Sequence, residues 1–189
     1  MNRSGAAGAA GEGEGGDPSA PFIVTAELPR DVFAWADGLR RAHFPPERNK
    51  LAAHVTLFHA FAPSLREELR RVLGTVSAEF GPSDAMIDGL MDLGGGTALA
   101  IRSPGMLTIR ETIAEHFHGA LTAQDSHPPR LHITIQNKVP RAAALALQRD
   151  MAPSLQLRRF AFPALGLHLY RQTHWETLST WPLRGKQHG

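Results

Sequence analysis

The sequence predicts an α+β protein of two similar lobes, each an antiparallel-rich sheet backed by helices, related by a pseudo-twofold about a central cleft. Three observations lead there. Strand and helix periodicities alternate in the order β-α-β-α-β-β-α-β-α-β-β. A helix, a proline-containing break and an apolar strand recur as a unit, once through HFPPERNKL and once through SHPPR. Each unit ends on a strand interrupted by His-x-Thr, in A-H-V-T-L at 53–57 and in L-H-I-T-I at 131–135.

The elements follow in order. FIVTAEL from Phe22 is β-branched and apolar and stops at Pro29, as a first strand does. Asp31 is placed to cap a helix whose apolar stripe is Val32, Trp35, Ala36 and Leu39. Consecutive prolines end that helix, and the strand AAHVTLFHAF follows. Ser64 and Glu67 have the spacing of a capping box ahead of the face Leu65, Leu69, Val72, Leu73, Val76 and Phe80, which Gly81 and Pro82 terminate. Residues 85–101 read as a hairpin turning at Gly94-Gly95-Gly96. The second half predicts a helix through Ile109, Ile113, Phe117 and Leu121, the strand LHITIQ, a helix from Pro140 to Met151, and two or three closing strands.

Composition bounds the rest. Residues 1–20 are Gly, Ala, Ser and Glu without an apolar stretch, which predicts a disordered leader and not a signal peptide, ahead of one domain over 21–184 and a short tail at 185–189. No apolar run approaches the roughly 18 residues of a membrane-spanning helix. Cysteine is absent, which excludes disulfides, thiolate catalysis and cysteine-based zinc sites, and points to a reducing cytoplasm. The net charge of +2 is unevenly spread, since 130–189 hold 9 Lys and Arg against 2 acidic residues. Such a basic segment either attracts an anionic ligand or is solvated surface.

The paired motif carries the chemistry. Residues i and i+2 of a strand share a face, so His54 projects with Thr56, and His132 with Thr134, while Val55, Leu57, Ile133 and Ile135 point inward. In-line cleavage of a phosphodiester needs a base for the attacking water and an acid for the departing oxygen. Two histidines with reference pKa near 6.5 supply both, and two hydroxyls can donate to the non-bridging oxygens. By the same alternation Phe58 and Gln136 fall on the faces of the pairs, placed to stack on and hydrogen-bond a nucleobase; for Phe58 an extension of the core is the equal alternative. His59 falls on the opposite face from His54, while His168 and Arg171 lie near the closing strands, where they either border the cleft or occupy surface or satisfied positions. A zinc site is disfavoured, since neither cysteine nor H-E-x-x-H is present.

These residues resemble the 2H phosphoesterase superfamily, which includes the 2′-5′ RNA ligases and RNA 2′,3′-cyclic phosphodiesterases. The resemblance runs over about 21–183, through PPERNKLAAHVTLFHAF and LHLYRQTHWETLSTWPL, with Trp175 standing where many members have tyrosine. It implies a bilobal 2H-like fold in which His54 and His132 are the acid–base pair, His132 leaning to base and His54 to acid, with Thr56 and Thr134 as phosphate ligands. The implied activity is metal-independent hydrolysis of 2′,3′-cyclic phosphates, with 2′-5′ ligation as a side capacity. A 2′-5′ oligonucleotide phosphodiesterase or a non-catalytic RNA- or nucleotide-binding module are the alternatives. The expected partners are RNA ends or nucleotide 2′,3′-cyclic phosphates, with no membrane, metal or cofactor, and the expected state is a monomer; Phe58, Gln136 and Arg171 are the further substrate-binding candidates.

Overall fold

The computed structural model describes residues 19–186, so residues 1–18 of the expected leader and 187–189 of the tail lie outside the described residues. Eight strands and four helices follow one another as β1 (Phe22–Ala26), α1 (Arg30–His43), β2 (Val55–Phe61), α2 (Arg66–Glu79), β3 (Ser83–Asp92), β4 (Thr97–Arg102), α3 (Pro104–His116), β5 (His132–Gln136), α4 (Arg141–Met151), β6 (Arg158–Phe162), β7 (Ala164–Tyr170) and β8 (Trp175–Pro182). The closing strands are therefore three. Among the described residues no helix is long and apolar enough to cross a membrane.

The strands form two antiparallel four-stranded sheets, in the orders β2-β1-β7-β8 and β5-β4-β3-β6. The α+β class and the pseudo-symmetry are thus both realised. β1-α1-β2 corresponds to β4-α3-β5, and each motif-bearing strand is the edge of its sheet beside the strand that precedes its helix. The lobes are not the two halves of the chain, because β7 and β8 return to the first sheet. Edges β2 and β5 meet, and α1 packs against β5 of the other lobe.

One core joins both sheets to α1, α2 and α3. α2 buries Leu69, Val72, Leu73 and Val76, the i, i+3, i+4, i+7 stripe expected of it. α1 buries Val32 and Ala36 as expected, and one turn further along the same stripe it buries Arg40. α4 buries only Ala144 and lies at the periphery.

Helix starts differ from the sequence expectation. α1 begins at Arg30 with Pro29 at the cap position and no side-chain cap, leaving Asp31 in the first turn as a charge facing the dipole. Ser64 lies in a single 3₁₀ turn (Pro63–Leu65) that leads into α2, so the capping box does not form. α3 ends at His116 and does not reach Leu121, since Gly119 takes a left-handed φ of 86° that the helix cannot continue through.

The cap that does form is Ser103. Its buried Oγ accepts the Met106 N–H at 3.3 Å and donates to the Asp84 carbonyl at 2.6 Å, fastening α3 to β3. Ser103→Ala removes both bonds and should cost about 1–2 kcal/mol in urea denaturation. An unchanged midpoint would show that the cap contributes nothing.

Candidate active site

The meeting of β2 with β5 sets the two His-x-Thr pairs on neighbouring edge strands, close enough for the charge of His132 to act on His54. His54 sits one residue before β2 and His132 opens β5. Val55, Leu57, Ile133 and Ile135 are buried in the core, whereas His54, Thr56, His132 and Thr134 stay half-buried on the other face.

Both imidazoles are held in the same way. Nδ1 of His54 lies 2.7 Å from the carbonyl of Ala52, and Nδ1 of His132 lies 2.6 Å from that of Arg130, two residues back in each case. A carbonyl can only accept, so Nδ1 carries a proton in both rings. Nε2 is then the atom that gains or gives a proton.

Helix α1 anchors the approach to both motifs. Arg40 donates from Nε to Asn49 Oδ1 at 2.7 Å and to the Leu51 carbonyl at 2.8 Å, and from Nη1 to the Thr134 carbonyl at 2.7 Å. Its guanidinium also lies 4.2 Å over the Phe44 ring. One turn earlier, Asp37 Oδ1 accepts the Ala53 N–H at 2.9 Å. Sequence reading missed Arg40, although its place four residues after Ala36, on an otherwise apolar stripe, is the signal that could have found it.

His54 titrates abnormally. Burial pushes its pKa down to about 4, and the positive charges of Arg40, His132 and His168 lower it further against the bond to the Ala52 carbonyl. Above that pH it is neutral. The Trp175 ring lies 4.5 Å from the His54 ring and 5.6 Å from that of His168.

Two cavities flank Trp175. One, of about 290 Å³, runs from His54 along Glu27, Leu28, Phe33, Lys50 and His168. The other, of about 240 Å³, is lined by Pro21, Ile23, Thr56, His59, Tyr170 and Trp175. Glu27 and Lys50 were not singled out from sequence, and His168, for which the sequence left open a cleft-bordering or a satisfied position, lines the first cavity. Among the described residues no three His, Asp or Glu side chains are grouped as metal ligands.

Three strand positions, Phe58, Gln136 and His59, differ from the sequence expectation. In β2 the pairing passes from Thr25↔Thr56 to Val24↔Phe58, skipping Leu57; in β5 it passes from Ala98↔Thr134 to Thr97↔Gln136, skipping Ile135. Each strand thus bulges one residue past its threonine, and a bulge resets the alternation. Phe58 is accordingly wholly buried, against Phe61 and under Arg110, and the alternative of a core residue is the observed one. Gln136 is buried too, with Oε1 3.4 Å from Thr97 Oγ1. By the same shift His59 joins Thr56 on the cavity wall, where its Nδ1 meets Asp125 Oδ1 at 2.9 Å. Arg171 lies in the β7–β8 turn, its Nε 2.7 Å and Nη2 2.6 Å from Glu176 Oε2, and like His132 and Thr134 it is not among the residues lining these two cavities.

Two four-stranded antiparallel sheets, with one His-x-Thr edge strand contributed by each, make up the α+β fold that the resemblance implied. The family model of the 2′-5′ RNA ligase superfamily matches residues 28–174, and the chain belongs to that superfamily. Among solved structures it is similar to TT0787 of Thermus thermophilus, with a TM-score of 0.62 and 14% identity over 88% of this chain and 100% of that one. It is also similar to E. coli LigT complexed with 3′-AMP, at TM-score 0.58 and 16% identity over 87% of this chain and 98% of that one. A structure described as a phosphoesterase matches at TM-score 0.59 and 16% identity, over 87% and 98%. At such identities the likeness is one of fold. No curated protein matches.

His54 links the site to stability. Its folded pKa of about 4 lies below the unfolded value near 6.5, so below about pH 6.5 the unfolded chain binds the proton first. Stability should be full above pH 6.5 and decline as pH falls toward 4, and His54→Ala should remove that component from urea denaturation series. Arg40→Met should cost about 2–4 kcal/mol, by orphaning buried carbonyls, and raise the His54 midpoint in NMR titration. An unmoved midpoint would show that the guanidinium does not act on His54.

Proposed function

We propose that the protein is a metal-independent phosphodiesterase that opens 2′,3′-cyclic phosphates of nucleotides or RNA ends by general acid–base catalysis, with His54 and His132 as the pair. The observation that carries this reading is the matched restraint of the two rings, each Nδ1 proton tied to the carbonyl two residues back. That leaves two preset Nε2 atoms at one cleft for the two proton transfers that hydrolysis needs. Membership of a superfamily of RNA ligases and the fold likeness to a phosphoesterase and to a nucleotide-binding LigT support it.

Thr56 and Thr134 donate to the non-bridging oxygens, where charge gathers in the transition state. In the free protein His54 is neutral above about pH 4 and cannot serve as a proton donor at neutral pH. This favours His54 as the base that takes the water proton and His132 as the acid for the leaving oxygen, the reverse of the order that resemblance implied. The two together titrate as a pair once an anionic phosphate lies between them.

His54→Ala and His132→Ala should each lower kcat on a nucleoside 2′,3′-cyclic phosphate by roughly 10²–10⁴-fold, and Thr56→Ala or Thr134→Ala by less. Wild-type turnover in a folded His132→Ala protein sinks the assignment.

Activity should survive exhaustive EDTA treatment, and kcat/KM should rise through pH 4 as His54 loses its proton. A substrate whose leaving oxygen needs no acid should rescue His132→Ala and leave His54→Ala inactive. Rescue of His54→Ala alone would restore the opposite order, and restoration by zinc or manganese after chelation would replace the mechanism with a metal-assisted one.

A further inference from the structure

We propose that the cavity beside His54 is a nucleobase subsite that selects an amino-bearing base, cytosine, adenine or guanine, over uracil through the carboxylate of Glu27. The inference rests on the phosphodiesterase reading only in taking the ligand at His54 to be a nucleotide. At about 290 Å³ the cavity is near the lower size of small-molecule sites and suits one base with part of its sugar. Its apolar walls are Trp175, Phe33 and Leu28, with His54 at one end. Aromatic walls next to a phosphate-handling group are the ordinary means of holding an unstacked base.

The floor is a directed chain of hydrogen bonds. Thr25 Oγ1 donates to Glu27 Oε1 at 2.7 Å, and a hydroxyl has one proton. Its contact with His168 Nε2 at 2.8 Å must therefore be one in which the ring donates. On its other side Nδ1 lies 3.1 Å from the Thr177 hydroxyl. His168 thus donates to Thr25 and Thr25 to Glu27, and the chain ends on a carboxylate.

Burial pushes the Glu27 carboxyl up, but the His168 ring, whose Nε2 lies 3.6 Å from Oε1, and the bond from Thr25 outweigh it and hold the group below its ordinary value, so it stays ionised. Among the described residues Oε2 accepts no hydrogen bond, and Glu27 lines the cavity. Gly166 makes the arrangement possible, since a Cβ there would collide with Glu27 Oε1, Thr25 Oγ1 and His168 Nε2 together. An ionised carboxylate accepts only, so it favours a base edge that carries an amino group. Uracil offers a carbonyl oxygen at that position, lone pair against lone pair.

Calorimetric titration with cytidine 2′-monophosphate and uridine 2′-monophosphate tests this, because the two differ at the base edge and need no turnover. The wild-type protein should bind the cytidine nucleotide roughly tenfold or more tightly, the effect of one charge-assisted hydrogen bond. In Glu27→Gln, whose amide can present either a donor or an acceptor, the ratio should fall to about one or below. Equal affinities in the wild type would assign the carboxylate to the sugar or to the fold and overturn the proposal. So would a cytidine preference that survives Glu27→Gln, or no binding of either nucleotide. Should the variant fail to fold, N4,N4-dimethylcytidine 2′-monophosphate decides in the wild type, since it lacks both amino donors and must lose the advantage. Selective binding without hydrolysis of any cyclic phosphate would refute the phosphodiesterase reading and leave the subsite standing.

Discussion

The site depends on one buried guanidinium. Arg40 is nearly inaccessible on α1, a helix that follows β1 of the first sheet in the chain yet packs against β5 of the second. By bonding to Leu51 and Asn49 on one side and to the Thr134 carbonyl on the other, it ties the approach to the first motif to the backbone of the second. The rigid planar fork sets that separation in a way a flexible ammonium could not. Burying the charge is unfavourable, and the three acceptors with the face of Phe44 offset it. The same charge helps keep His54 deprotonated, so geometry and protonation at the first motif share a cause.

Given that junction, the paired bulges decide what the cleft contains. Each motif strand shows two residues to the cleft and then, one residue past its threonine, turns its next side chain inward. Phe58 and Gln136 become interior groups that brace the strands from behind. The cleft is instead furnished by the neighbouring strands of the first sheet, by Thr25, Glu27, His168 and Trp175. The two lobes match in backbone and in histidine restraint, and differ in what surrounds each ring.

Much of this was legible in the sequence because it rests on short-range pattern. Strand alternation, the helix stripes and the His-x-Thr repeat give the element order, the pseudo-duplication and the residues that share the outer face of each motif strand. What was not legible is non-local. A bulge is set by the partner strand, and nothing in VTLF or ITIQ announces it. Ser64 and Asp31 have good capping chemistry, but prolines at 29 and 63 preset the backbone at those helix starts, so neither cap forms. Arg40, Glu27 and Thr25 owe their roles to partners between 2 and 143 residues away, and spacing rules reach only the shortest of these.

The contact of Trp175 with His54 has a further consequence. Indole emission is quenched when a protonated imidazole lies against the ring, and here the centroids are 4.5 Å apart. The chain has 3 tryptophans, of which Trp35 stands on α1 under Arg158 and Trp181 lies toward the far end of β8. One of the protein's own fluorophores therefore lies against the imidazole at the first motif, tilted 54° to it. Any event that charges that ring, or slides a planar group in beside it, is written into the protein's ultraviolet emission without a label.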